Sequence, residues 1–176
     1  DPRMTLFISC LSLLLSTADA QSLDDFSDSD ELAAAGAATV FVAPFVAKDR
    51  EAVGMAGMMP SFLEMELDQH PGLRVVRIEE IPPVHDQDAA AYLESCPPGQ
   101  IVGCAFVVAE NSGARFALAG TARTIASGTR AEIVIIDVAA SREVIAFQVD
   151  LGSGNDERFA EGVAGVLIAV VKGEAG

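Results

Sequence analysis

Between Ala114 and Leu151 three strand-length runs follow one another with little between them: "ARFALAGTARTI" (114–125), "RAEIVIIDVA" (130–139) and "REVIAFQVDL" (142–151). The first alternates apolar and small or polar residues, Ser127-Gly128 makes a turn, and connections this short allow only an antiparallel meander. Ahead of the meander, "ATVFVAPFVA" (38–47) is a continuous run rich in Val and Phe. Such a run predicts a strand covered on both faces, with Pro44 near its end. The stretch after it spaces Val53, Met55, Met58, Met59, Phe62, Leu63, Met65 and Leu67 largely at threes and fours. That spacing predicts a helix stopped by His70-Pro71-Gly72, with Pro60 starting its regular part or kinking it. "LRVVRIEEI" (73–81) predicts a second strand, ended by Pro82-Pro83.

"DQDAAAYLESC" (86–96) reads as a short helix with an acidic first turn, and "QIVGCAFVVAENSG" as another, capped at Asn111-Ser112-Gly113. "ERFAEGVAGVLIAVV" closes the chain as a helix with Phe159, Val163, Val166, Leu167 and Val170 on one side. The expected fold class is therefore α/β (α+β): a mixed sheet of about five strands in the order β-α-β-(α)-α-β-β-β-α. A right-handed crossover joins the parallel first pair, and the helices pack on the sheet.

The ends bear on location. Leu6–Leu15 is apolar and small, Arg3 precedes it, and Ala18-Asp19-Ala20 follows. This is the order of a secretory signal, too short to be a membrane anchor, with cleavage expected between Ala20 and Gln21. Met4 is an alternative start, and Cys10 precedes most of the apolar core, unlike a lipidated cysteine. Expected boundaries are a signal at 1–20, a flexible acidic leader at 21–37, one domain at 38–172 and a tail at 173–176. In the leader, Asp28 and Asp30 suggest a calcium loop, but Ala33 and Thr39 stand where it needs Gly and Glu. Removing residues 1–20 moves the formal charge from -15 to -14. A chain this acidic, with no Lys/Arg run, is a poor partner for nucleic acid or anionic lipid. "GVAGVLIAVV" is too short to cross a bilayer, so no integral span is expected after signal removal. The expected location is periplasmic or extracellular, with outer-membrane association as the alternative.

Sequence patterns for chemistry are sparse. His70 and His85 lack i, i+4 spacing to each other and lie at turns, and no Gly-x-Ser-x-Gly elbow exists. "VGMAGMMPS" has glycines after a strand but neither Gly-Lys-Ser/Thr nor Rossmann spacing. Its methionines read as core filler or as an adaptable docking surface. Glu79-Glu80 are adjacent and diverge on a strand, while Asp86 and Asp88 fit a solvated loop. No catalytic residue, metal ligand or cofactor site is assigned. The expected partner or ligand loops are Lys48–Gly57, with Lys48, Arg50, Glu51, Met55, Met58 and Met59, and Pro82–Asp88, with His85, Asp86 and Asp88. Arg115, Arg123, Arg130 and Arg142 fall on the meander, where they offset the acidic surface. Cys96 and Cys104 lack the second ligand pair of a zinc site and the spacing of a thioredoxin motif. In an oxidising compartment a disulfide is the simplest reading, with a labile redox pair as the alternative.

Val42-Ala43-Pro44-Phe45, "LRVVR", Ser112-Gly113-Ala114-Arg115-Phe116, Gly120 and the pair Asp137 and Ser141 together resemble a known superfamily. It comprises the amino-terminal domain of TolB and the related periplasmic domains of CsgG and FlgT. In that family the first strand tends to read Val-x-Pro-Phe, a later strand ends in Gly, and Asp-x-x-Thr-Gly joins the next two. The resemblance spans roughly residues 38–172, without the hairpin insertions of a CsgG pore or the propeller repeats of TolB. It implies a stand-alone domain that docks onto envelope machinery. The expected function is a non-enzymatic exported binding or scaffold domain of a bacterial cell-envelope assembly, of secretion, motility or Tol type. Its partners would be envelope proteins, a second copy of the chain included. The alternative is a periplasmic sensor of a small ligand or peptide.

Overall fold

A computed structural model of the chain describes residues 36–152 and 156–173. The expected signal with Ala18, Ala20 and Gln21, Cys10, nearly all of the leader and the last three residues of the tail lie outside them. Two parallel strands are built first: β1 (Ala38–Val42) and, after helix α1 (Val53–Leu67), β3 (Leu73–Val76). A two-residue strand, β2 (Val46–Ala47), lies between β1 and α1. Helices α2 (Ala89–Glu94) and α3 (Ile101–Ser112) follow, then the meander β4 (Phe116–Ile125), β5 (Gly128–Asp137) and β6 (Arg142–Leu151), then α4 (Asp156–Lys172). The sheet order is β3-β1-β4-β5-β6, with β2 paired to β4. β1 runs parallel to both neighbours, and β4 to β6 are antiparallel. The fold class is the one expected.

The sheet has six strands rather than five because the apolar run 38–47 is not one strand. Val42 pairs with Leu118 and Val46 with Thr121, so four steps on one side face three on β4. The extra residue is absorbed at Ala43–Phe45, where Pro44, which has no N–H to donate, faces solvent and Phe45 turns into the core. The second strand is also shorter than 73–81. It ends at Val76, and Ile78–Glu80 forms a 3-10 turn. Arg77 turns back to make ion pairs with Glu64 of α1 and with Asp68, which caps its end. Gly120, expected at a strand end, is mid-strand, since β4 continues to Ile125. Pro60 neither starts nor ends its helix; it lies inside α1.

The two faces of the sheet carry separate cores. Ala56, Met59, Leu63 and Leu67 of α1 and Phe159, Val163, Leu167 and Val170 of α4 cover one face, against Val40, Val42, Leu118, Ile133 and Ile135. Ala89 and Leu93 of α2 and Ile101, Ala105, Val108 and Ala109 of α3 cover the other, against Phe41, Ala117, Ala119 and Ile136. Alanines meet alanines where α3 crosses β4, which lets helix and sheet approach closely. α3 ends at Gly113, whose φ of 72° is the left-handed C-cap that the sequence signalled.

Candidate interaction surfaces

The two expected loops are built separately. Of the expected Lys48–Gly57 loop, Val53–Gly57 is the start of α1, and the rest is tied to the meander: Lys48 N–H donates to Ala122 O at 2.7 Å, and the Lys48 ammonium pairs with Glu132. The Asp49 carboxylate accepts from Ala52 N–H (2.9 Å), Thr124 N–H (2.7 Å) and the Thr124 hydroxyl (2.7 Å), and the Thr124 contacts hold its pKa below the usual aspartate value. Arg50 and Glu51 are exposed. The methionines divide: Met59 is fully buried, Met55 is half-buried, and Met58 is 47% exposed. Core filler is thus right for Met59 and wrong for Met58.

The Pro82–Asp88 loop belongs to the other core, through Val84 and Ala89. Val84 and Gln87 exchange both backbone hydrogen bonds (2.8 and 2.9 Å), closing a two-residue turn. Its central residues, His85 (φ 49°) and Asp86 (φ 65°), both have positive φ, as a type I′ turn requires, although neither is glycine. Asn111 Nδ2 donates to Pro82 O at 2.7 Å, and Asp88 caps α2 through Ala90 N–H at 2.9 Å. The expected helix at 86–96 therefore starts three residues late, at Ala89. The His85 ring lies 5.8 Å from that of Tyr92. His70 is elsewhere, with Nε2 3.4 Å from Glu66 Oε1 at the end of α1. Among the described residues no group of three or more His, Cys, Asp or Glu is placed to hold a metal.

Cys96 and Cys104 are disulfide-bonded, with Cα atoms 6.4 Å apart, joining the segment after α2 to the first turn of α3. Closing so short a loop stabilises the fold by about 2–3 kcal/mol on the chain-entropy account. The Cys96→Ala/Cys104→Ala double variant is expected to lose that much in urea unfolding. Wild type measured in reductant should match the variant.

Sequence reasoning did not single out the groove between α3 and the β5–β6 hairpin. Val102, Phe106 and Ile136 form its floor, Gly103 opens it, and Glu110, Ser141, Arg142 and Glu143 form its rim, around about 450 Å³. Next in the chain to the floor residue Ile136, Asp137 is the one buried charged residue among those described. Its carboxylate accepts from Arg115 Nε (3.3 Å) and Nη2 (3.2 Å) and from Ala140 N–H (3.0 Å), so it closes the hairpin turn as well as an ion pair. Burial alone would raise its pKa, but the Arg115 and Ala140 hydrogen bonds, with the nearby Arg142 charge, hold it below 3.8. Glu132 is lowered chiefly by Lys48, and Asp150 chiefly by Arg130. Because the folded values lie below the unfolded ones, this stabilisation is complete above the ordinary carboxylate range. It is lost as pH falls through that range toward the folded values. Stability should therefore be flat from pH 7 to about 5 and drop below about 4.5. Asp137→Asn should reduce the drop, as read by urea unfolding at each pH.

Ser141 has φ of 50° and stands where the resembling family has glycine. Ser141→Gly removes that strain and should raise stability by about 0.5–1 kcal/mol in the same assay.

No protein-family model matches the chain, and no curated protein matches it in sequence. Solved structures resemble its fold. TolB from Acinetobacter baumannii is similar with a TM-score of 0.50 at 10% identity, over 80% of this chain and 29% of that one. The C-terminal domain of LpoB from Salmonella enterica gives 0.46 at 13%, over 67% and 84%. Lipoprotein GNA1162 from Neisseria meningitidis gives 0.46 at 16%, over 78% and 95%. At these identities the likeness is one of fold, and it agrees with the TolB part of the expected resemblance. The CsgG and FlgT part is not shown by it. This chain spans less than a third of that TolB.

Proposed function

We propose that the chain is an exported binding domain of a bacterial cell-envelope assembly, and that its groove between α3 and the β5–β6 hairpin receives a segment of a partner protein. The groove carries this reading. Its floor is apolar, its volume is of ligand-pocket size, and Glu110 and Glu143 on its rim have no side-chain partner among the described residues. Two free carboxylates against the single Arg142 on the same rim, on a chain of net charge -15, favour a segment with apolar side chains flanked by Lys or Arg. The TolB-like fold and a disulfide suited to an oxidising compartment support the envelope setting.

The test is recovery of partners from crosslinked envelopes by the wild type and by a Glu110→Lys/Glu143→Lys variant. Both positions are exposed, so the variant should fold. A discrete envelope protein recovered by the wild type and lost with the variant is expected; equal recovery, or none, contradicts the reading. The groove's volume also suits a small ligand, which favours the sensor alternative. A rise in melting temperature with a small molecule, and not with apolar-basic peptides, would select it.

A further inference from the structure

The two edges of the sheet differ. At one, β3 is four residues long, its exposed Arg74 pairs with Glu80, and a 3-10 turn follows at Ile78–Glu80. Shortness and a charged side chain are the usual protections of an edge. At the other, β6 has ten residues, and no strand lies beyond it among the described residues. β6 holds no Pro or Lys, and residues 144–149 include no ionisable side chain. The bulge opposite Ile135 and Ile136 lies at its groove end and leaves residues 145–151 in unbroken register with β5. In an antiparallel edge strand every second residue turns its N–H and C=O away from the neighbour. β6 therefore presents a row of backbone donors and acceptors of the kind that another extended chain matches.

We infer that β6 is a docking edge, on which the partner segment held by the groove continues as an added strand. The inference rests on the proposed groove, and continuity supports it: Arg142 and Glu143 of the groove's rim are the first two residues of β6. A segment leaving the groove past that rim meets the open edge next. The register gives each side of the added strand its chemistry. Ile145, Phe147 and Val149 pair with Ile135, Ile133 and Ala131 and are half-buried on the α4 side, where apolar residues of an added strand would cover them. Ala146, Gln148 and Asp150 are exposed on the groove side, where Gln148 donates to Glu132 and Asp150 pairs with Arg130. Polar or basic residues suit that side. The occupant is thus an extended segment of the partner with an apolar residue at every second position. A second copy of β6 fits poorly. In the fully overlapped antiparallel register, Glu143 of each copy would stand opposite Asp150 of the other, between chains of net charge -15.

The probe is the peptide Lys-Val-Lys-Val-Lys-Val-Lys-Val, with one version N-methylated on every Val and another on every Lys. All three carry the same charge and side chains, but a strand donates to its neighbour from only one of the two sets of N–H groups. Titrated into the non-reduced full chain, the parent and one methylated version should bind alike. The other should bind at least about 10-fold more weakly, the loss expected from several missing hydrogen bonds. Charge attraction alone would treat all three alike. Hydrogen exchange of residues 145–151 should slow with the parent peptide, both in the wild type and in Glu110→Lys, which alters the groove's rim but not β6. In native cells, a photoreactive residue replacing exposed Gln148 should give the adduct that one replacing Glu143 gives. Absence of parent binding, equal affinity of the two methylated versions, or unslowed exchange in β6 overturns the proposal. So does an adduct from position 143 with none from 148. Protection of β6 that rises with chain concentration in the absence of peptide assigns the edge to a second copy and also overturns it. The peptide results are read without an envelope partner, so they fail separately from the groove reading, which fails in the crosslinked envelopes.

Discussion

Gly120→Val is expected to cost at least about 4 kcal/mol and to leave little folded protein at 25 °C, read as a loss of the cooperative urea transition. Gly120 lies where the Phe45 ring closes over β4, in register with Ile133 of β5. A Cβ there would lie 2.5 Å from the Glu132 carbonyl oxygen and 2.5 Å from Phe45 Cε1. Phe45 could be displaced only by abandoning the core, and the Glu132 oxygen is backbone in the central ladder. Gly120→Ala already meets both atoms and should fail to a lesser degree. Phe45→Ala/Gly120→Ala relieves the ring contact but not the carbonyl contact, so it should recover only part of the stability.

The second large effect separates two adjacent side chains of one type. Met59→Ala is expected to cost about 3 kcal/mol, because Met59 is fully buried between α1 and the sheet, beside Leu63. Met58→Ala should change stability by less than about 0.5 kcal/mol, because Met58 stands on the outer side of the same turn. Equal costs at the two positions would mean that α1 is rotated from the orientation described.

The order of elements was readable because periodicity reports what a segment buries. β6 alternates, α1 and α4 bury apolar residues at threes and fours, and Asn111-Ser112-Gly113 ends α3 as its composition predicts. The misses have local causes. An apolar run cannot reveal an inserted residue, so 38–47 read as one strand although Pro44 marks the break. "LRVVRIEEI" looks extended throughout, but Arg77 finds Glu64 and Asp68 across space, which pairing along the sequence does not disclose. His85 and Asp86 take positive φ, and only the closeness of Val84 to Gln87 signals this turn.

Sequence reasoning named the Lys48–Gly57 and Pro82–Asp88 segments as candidate surfaces but did not single out the groove. Val102, Phe106, Ile136 and Glu143 come from three elements, and no spacing links them. Asp137 left a faint signal, as the conventional acid of the resembling family's turn; its burial and its pairing with Arg115 appear only in three dimensions.

The central claim, that the groove holds a partner of the cell envelope, is tested most directly by site-specific photocrosslinking in the native cells. A photoreactive residue replacing Glu143 should yield one discrete adduct with an envelope protein, lost when Glu110→Lys is added. The same group replacing Glu94 on α2, outside the groove lining, should yield no such adduct. Equal adducts from both positions, or none from position 143 while the protein is folded and exported, would contradict the account.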